Sequence, residues 1–285
     1  MPMTIAVTGA HGKLGRSVVR ELADAGHDLI TLDRVPAPAG APGHGVVIDL
    51  TDAGQVMDAL AGIDEQHTGV DAIVHLAAIP APGLLPDVAT FHNNMLTSFN
   101  VLNAARKLGI HRIVTASSET VLGLPFDVPP PYIPVDEEYP ARPESTYSLG
   151  KHLEEQLAVQ LVRWNPALSI SALRFSNVMD PADYAEFGSF DADPMLRKWN
   201  LWGYIDARDG ARAVRLALEK NLAGFETYII AAADTVMSRT SAGLAAEVFP
   251  SVVVTKTLGE HETMLSIAKA RRLLGYEPQH SWRDS

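Results

Sequence analysis

"TIAVTGAHGKLGRSVV" occupies residues 4–19, and its reading decides the fold. A short apolar run ends at Thr8 and gives way to Gly9. From Lys13 onward, apolar residues recur at positions 14, 18, 19, 22 and 23, the spacing of one helix face. Strand, glycine loop and helix therefore follow one another without a linker. The glycines stand as G-x-x-G-x-x-G: Gly9 permits the tight turn, Gly12 lets backbone approach an anion, and Gly15 allows close helix–strand packing. The first turn of the helix then offers free N–H groups and partial positive charge to a pyrophosphate. Asp33 ends the next apolar run, "DLITLD" (28–33). A carboxylate there can accept from the 2′-hydroxyl of an adenosine ribose and repels a 2′-phosphate, which favours NAD. Arg34 beside it could pair with that phosphate, so NADP stays open as the alternative.

Outward from this unit the chain keeps alternating. "GVVIDL" (45–50), "VDAIVHLAA" (70–78), "IHRIVTASS" (110–118) and "SISALRF" (169–175) read as strands. Helical spacing covers 13–26, 53–62, 90–109 and 144–164. Such alternation predicts an α/β fold, a doubly wound parallel sheet of the Rossmann type covered on both sides. Residues 1–175 would form the dinucleotide-binding domain. Residues 176–285, less regular in pattern, would form a small C-terminal substrate-binding lobe interleaved with late sheet elements. Residues 124–143 hold seven prolines and read as an ordered loop over the sheet rather than regular structure.

Composition narrows the function classes. The 285 residues carry a net charge of −11, which speaks against nucleic acid or an anionic membrane surface as partner. Cysteine is absent, which removes disulfides and thiol nucleophiles and suits a cytoplasmic setting. The N-terminus lacks the basic and apolar regions of a signal peptide, and no stretch is apolar enough to span a bilayer. The ten histidines show no metal-ligand spacing, so no metal is expected.

Several segments taken together resemble the extended short-chain dehydrogenase/reductases, specifically the NAD-dependent epimerase/dehydratase family. They are the G-x-x-G-x-x-G loop, "VIDLTD" (47–52), "VHLAA" (74–78), "NMLTSFNVLNAARKLGIHRIVTASS" (94–118), "YIDARDGARAVRLALE" (204–219) and "SIAKARRLLGYEP" (266–278). The resemblance implies cofactor contacts from Gly9, His11, Gly12, Lys13, Leu14, Gly15, Asp33 and Arg34. It extends them to Asp49 and Leu50 at the adenine, to Leu76, Ala77 and Ala78 after the fourth strand, and to Asn94. It also implies a homodimer through the helices at 90–109 and 144–164.

In that family a Ser or Thr after the fifth strand works with a Tyr-x-x-x-Lys pair. The segment "TYSLGK" (146–151) supplies Tyr147 and Lys151, and "ASSETVLG" (116–123) points to Ser118. A helix places residues four apart on one face, so the ammonium can favour the phenolate. Ser118 would hold the reacting oxygen, and Tyr147 would serve as general acid/base while hydride moves to or from the nicotinamide.

What the hydride chemistry serves depends on the rest of the site. Glu119-Thr120 follow Ser118 where dehydratases carry Asp-Glu, which speaks against dehydration. Residues 179–203 are short for a sugar-nucleotide lobe. Their only cations are Arg197 and Lys198, amid five acidic residues. That pattern favours a sugar or related small polyhydroxy substrate, with size and layout resembling the uronate dehydrogenases. Those enzymes follow a Pro-x-x-Tyr with an Arg suited to a carboxylate. Here Tyr184 precedes Ala185, which favours a neutral sugar or polyol at least as much as a uronate. Substrate contacts are expected from Ser118, Glu119, Arg174 and Asn177. Trp199, Trp202 and Tyr204 could line the pocket or belong to the core. A sugar or nucleotide-sugar 4-epimerase is the alternative activity, and a non-catalytic NAD(P)-binding regulator the third reading.

Overall fold

The computed structural model describes residues 2–284. The chain begins β1 (Thr4–Thr8), α1 (Lys13–Asp24), β2 (Asp28–Asp33), β3 (His44–Val47), α2 (Ala53–Ala61) and β4 (Ala72–His75). It continues with α3 (Asp87–Leu108), β5 (Arg112–Ser118), β6 (Tyr132–Ile133), α4 (Thr146–Trp164) and β7 (Ser169–Phe175). The last part holds β8 (Val178–Met179), β9 (Ile205–Asp206), α5 (Ala207–Lys220), β10 (Gly224–Ile230), α6 (Ser241–Val248), β11 (Val253–Val254) and α7 (Ala268–Leu274).

Seven strands form one sheet in the order β10-β7-β5-β4-β1-β2-β3, and every neighbouring pair is parallel. The chain winds outward from β1 in one direction, returns, and winds the other way from β4. This is the doubly wound fold expected from the sequence. Its crevice lies where the winding reverses, at the carboxyl ends of β1 and β4. α1 and α5 pack together on one side, and α3 packs against both α2 and α4. The strand period of two separates the layers: Ile5 and Val7 join one apolar cluster, and Ala6 between them joins the other.

Local chemistry sets the helix ends that matter for the site. α3 starts at Asp87, earlier than its apolar spacing indicates, because Pro86 begins the turn and an acidic residue suits a helix N-terminus. α4 opens with a reciprocal capping box: Ser145 Oγ accepts from Ser148 N, and Ser148 Oγ accepts from Ser145 N. Tyr147 therefore lies within a fixed first turn.

The last third is more regular than its pattern indicates. α5 buries Ala211, Val214, Ala217 and Leu218 at helical spacing, and β10 adds the edge strand beside β7. The proline-rich stretch is ordered, with β6 pairing with β11 and with Ile133 and Val135 fully buried. Among the described residues, no helix is long and apolar enough to cross a membrane.

Candidate active site

The glycine loop is built by sterics. Gly9 has φ +65°, and a Cβ there would lie 2.8 Å from the Ala77 backbone. A Cβ on Gly15 would lie 2.1 Å from the Gly9 carbonyl oxygen, so loop and helix touch through backbone alone. No side chain caps α1 at Gly12. His11 Nε2 is buried without a partner. These are the features of an anion cradle, and the residues present fit a dinucleotide pyrophosphate.

A cavity of about 1060 Å³ runs from this loop along the carboxyl edge of the sheet. The expected loop residues Gly9, His11, Gly12, Lys13, Leu14 and Gly15 line it, as do Asp33 and Arg34. Leu50, Leu76, Ala77 and Ala78 follow along the wall. Asp33 Oδ2 accepts from His11 N at 3.0 Å, fixing the carboxylate at the end of β2. The Arg34 guanidinium donates to Asn93 Oδ1 at 2.9 Å.

Two expected cofactor contacts do not line the cavity. Asp49 turns its carboxylate onto Thr51, accepting from both its N–H and its hydroxyl. Asn94 is buried and clamps Ile79 through both its amide atoms. One position along the helix is a rotation of about 100°, and it is Asn93 that lines the cavity instead.

At the far end Tyr147, Lys151, Ser117 and Ser118 line the same cavity. The two serines divide their work. Ser117 Oγ donates to Glu155 Oε1 at 2.6 Å, while Ser118 Oγ accepts from Thr120 and favours the ionised Tyr147 phenol. Lys151 Nζ donates to Ala116 O and to Glu154 Oε2, each at 2.9 Å. Burial pushes the Tyr147 phenol above its ordinary value, outweighing Lys151 and Ser118, which pull it down. The spacing of Tyr147 and Lys151 carries the ammonium's pull on the phenol but no sign of this desolvation. Burial also lowers the Lys151 ammonium's proton affinity, but Glu154 and Tyr147 reverse it and the net direction is up.

The expected substrate contacts separate. Glu119 and Asn177 line the cavity. Glu119 is buried and accepts from Asn200 at 3.2 Å; desolvation lifts its carboxyl to about 7 against Ser176, Asn200 and Arg197. Arg174 does not line the cavity. It is buried on β7, and its Nε and Nη2 donate to Glu155 Oε1 and Oε2 at 2.9 and 2.8 Å. Its strand position puts it opposite Ser117, on the side of the sheet where α4 lies. Trp199 lines the cavity, whereas Trp202 and Tyr204 are fully buried core. Tyr184 is buried too, its hydroxyl donating to Asp206.

Sequence reasoning missed the Ile79–Pro82 wall, Leu124 and Pro125 from the proline loop, and Asn200 behind Glu119. Only the proline loop carried a signal, its apolar content. Among the described residues lining the cavity, the Lys and Arg side chains are Lys13, Arg34 and Lys151. Arg197 lies behind the wall, donating to Gly203 O and stacked near Phe190 and Trp199, while Lys198 pairs with Asp127.

Comparison with known proteins agrees with this geometry. The NAD dependent epimerase/dehydratase family profile matches residues 5–231. A UDP-glucose 4-epimerase of Drosophila melanogaster is 28% identical over 225 residues, covering 72% of this chain and 60% of that protein. The chain thus spans about 60% of the length of the first curated relatives it matches. A short-chain dehydrogenase/reductase superfamily protein from Agrobacterium tumefaciens, solved with bound NAD, superposes with a TM-score of 0.71 at 25% identity, covering 98% of this chain and 94% of that one. A mutated uronate dehydrogenase does so with 0.69 at 25% identity, covering 100% and 85%. Glycine loop, parallel sheet and profile coincide along most of the chain, which belongs to the NAD-dependent epimerase/dehydratase family.

Proposed function

We propose that the protein is an NAD-dependent oxidoreductase acting on a carbinol of a sugar or related small polyhydroxy compound. The observation that supports this is the Ser118–Tyr147–Lys151 group at one end of a cavity whose other end is the glycine cradle. NAD, when bound there, supplies the hydride acceptor, and Asp33 favours it over NADP. Gly9, Gly12 and the first turn of α1 would hold the pyrophosphate. Leu50 and Leu76 to Ala78 would flank the rest of the cofactor.

Ser118 would hydrogen-bond the substrate oxygen and keep it beside Tyr147. Tyr147 would take the hydroxyl proton, and Lys151 would hold the phenolate as it forms. Glu119 and Asn177 would face the remaining hydroxyls. In this reading residues 1–175 carry cofactor and catalysis, and residues 176–285 complete the substrate side and the sheet edge. A diphosphate needs cations or N–H donors. The cavity's cations lie at the glycine loop, at Asp33 and at Tyr147, which supports a compact substrate.

A sugar or nucleotide-sugar 4-epimerase is the second reading, supported by the names of the curated relatives. We further propose a homodimer through α3 and α4, on which Phe99 and Leu149 are exposed at 45% and 41%. Sedimentation of Phe99→Glu beside the native chain tests it, and equal masses would refute it.

The deciding experiment incubates the protein with NAD and aldoses, uronates and polyols, following NADH formation, with Tyr147→Phe as control. NADH appearing with one substrate class and vanishing in the control is the expected result. NAD binding without turnover on the panel, together with interconversion of UDP-glucose and UDP-galactose, would replace the dehydrogenase by the epimerase.

A further inference from the structure

Behind Lys151 lies a buried chain of polar groups that the proposed chemistry does not use. Thr8, the last residue of β1, accepts at Oγ1 from the N–H groups of Leu76 and Ala77, each at 3.2 Å. With its lone pairs so engaged, its hydroxyl proton goes to His75 Nδ1, 2.8 Å away. His75 must then carry its proton on Nε2 and donate it to Ser98 Oγ at 3.0 Å. Next to Ser98 lies Glu154: burial raises its carboxyl above the ordinary value, and Lys151 and then the Ser98 hydroxyl pull it back down. Glu154 Oε2 accepts from Lys151 Nζ, and its Oε1 is buried without a hydrogen-bond partner. The Thr8 and His75 donors thus run to Ser98, and Lys151 donates to Glu154 next to it. Thr8, His75, Ser98, Lys151 and Glu154 are all buried, so water does not compete for these bonds.

We propose that Glu154 is a positioning residue of the active site, holding Lys151 from behind and offsetting part of the ammonium's attraction for the Tyr147 phenolate. This rests on the catalytic reading of Tyr147 and Lys151 given above. Lys151 alone could swing toward solvent or hold the phenolate too tightly for it to take up a proton. Pinned between Ala116 O and Glu154, it keeps one N–H for the cavity side. The Thr8–His75–Ser98 run reaches Ala77 at its other end, in the wall that packs on Gly9.

The charges facing Tyr147 are Lys151 and Glu154 from its own helix and Glu119 from the segment after β5. Lys151 also feels Glu155, one residue beyond Glu154. His75, on β4, is kept neutral: burial and then Lys151 lower it to about 3. Glu154 is therefore the carboxylate of this set that touches the ammonium directly.

The test needs no substrate. The Tyr147 phenol is titrated in the NAD-saturated protein by its tyrosine Cζ resonance, assigned by its disappearance in Tyr147→Phe. Glu154→Gln, which keeps shape and removes charge, should lower the midpoint by about one pH unit. Ser98→Ala, which weakens the support of the carboxylate, should lower it by less. Glu154→Asp should restore the native midpoint. A midpoint unchanged or raised in Glu154→Gln overturns the proposal; should that variant not fold, the same result in Ser98→Ala does so. Turnover that survives Tyr147→Phe would instead refute the catalytic reading itself, so the two failures are distinct.

Discussion

Gly15→Ala is the sharpest test of the cofactor cradle, since the structure gives its consequence almost directly. The new methyl would sit 2.1 Å from Gly9 O and 2.8 Å from Ala10 O. A carbon–oxygen contact needs about 3.3 Å, so α1 and the loop must part by roughly an ångström. Both neighbours are backbone, which cannot rotate away. Overpacking of this kind costs about 1–3 kcal/mol, or roughly 2 °C or more of melting temperature per kcal/mol in a chain of this size. The displaced N–H groups would also miss the pyrophosphate. Losing two charge-assisted hydrogen bonds is worth about 3 kcal/mol, more than a hundredfold in NAD affinity. Gly12→Ala makes the contrast. Its methyl meets only Gly9 O, at 3.4 Å, and its φ is −69°. It should keep the native melting temperature while weakening NAD, because it intrudes where the anion approaches. Calorimetric titration with NAD and thermal melts of both variants read the two effects. A Gly15→Ala protein that melts and binds like the native chain would refute the packing argument. So would a Gly12→Ala protein destabilised as much as Gly15→Ala.

Three further outcomes are expected. Glu119 has its carboxyl raised to about 7 by burial, so its contribution to stability is full below the unfolded value and falls as pH rises through 7. Glu119→Gln should therefore gain melting temperature relative to the native chain at pH 8 but not at pH 5, and an equal difference at both would count against it. Glu155→Ala leaves the Arg174 guanidinium buried without its carboxylate and should cost about 3–5 kcal/mol in a urea titration; a loss under about 1 kcal/mol would show that the pair is not structural. Asp33→Ser removes the carboxylate that opposes a 2′-phosphate and should move the ratio of NADP to NAD affinity about tenfold toward NADP, with an unmoved ratio placing the adenosine elsewhere.

The fold was legible because strand and helix periods leave different marks. Val18, Val19 and Leu22 repeat at helical spacing, and Ile5 to Val7 form a buried run. The site was legible where a motif is continuous, as in Gly9 to Gly15 and Tyr147 to Lys151. It was not legible where contacts are long-range. Nothing near Arg174 in sequence announces Glu155 nineteen residues before it. Asn93 and Asn94 are the same residue type, and only the rotation of α3 separates the wall of the cavity from the clamp on Ile79. β10 was missed because "GFETYII" is half-covered, with Phe225, Glu226 and Thr227 only partly buried, so its pattern resembles neither a buried run nor strict alternation.

The neighbouring serines at the end of β5 carry a lesson about how such a protein can change. Ser117 fastens α4 through Glu155, and Ser118 offers its oxygen toward Tyr147. Because successive residues of a strand face opposite sides, anchorage and reactivity are written on alternate letters. In the proposed chemistry Ser118 has to stay, so change at this edge falls to Glu119 and Thr120, while Ser117 continues to hold the helix that bears Tyr147 and Lys151. Novelty at one letter leaves the scaffold at the next intact.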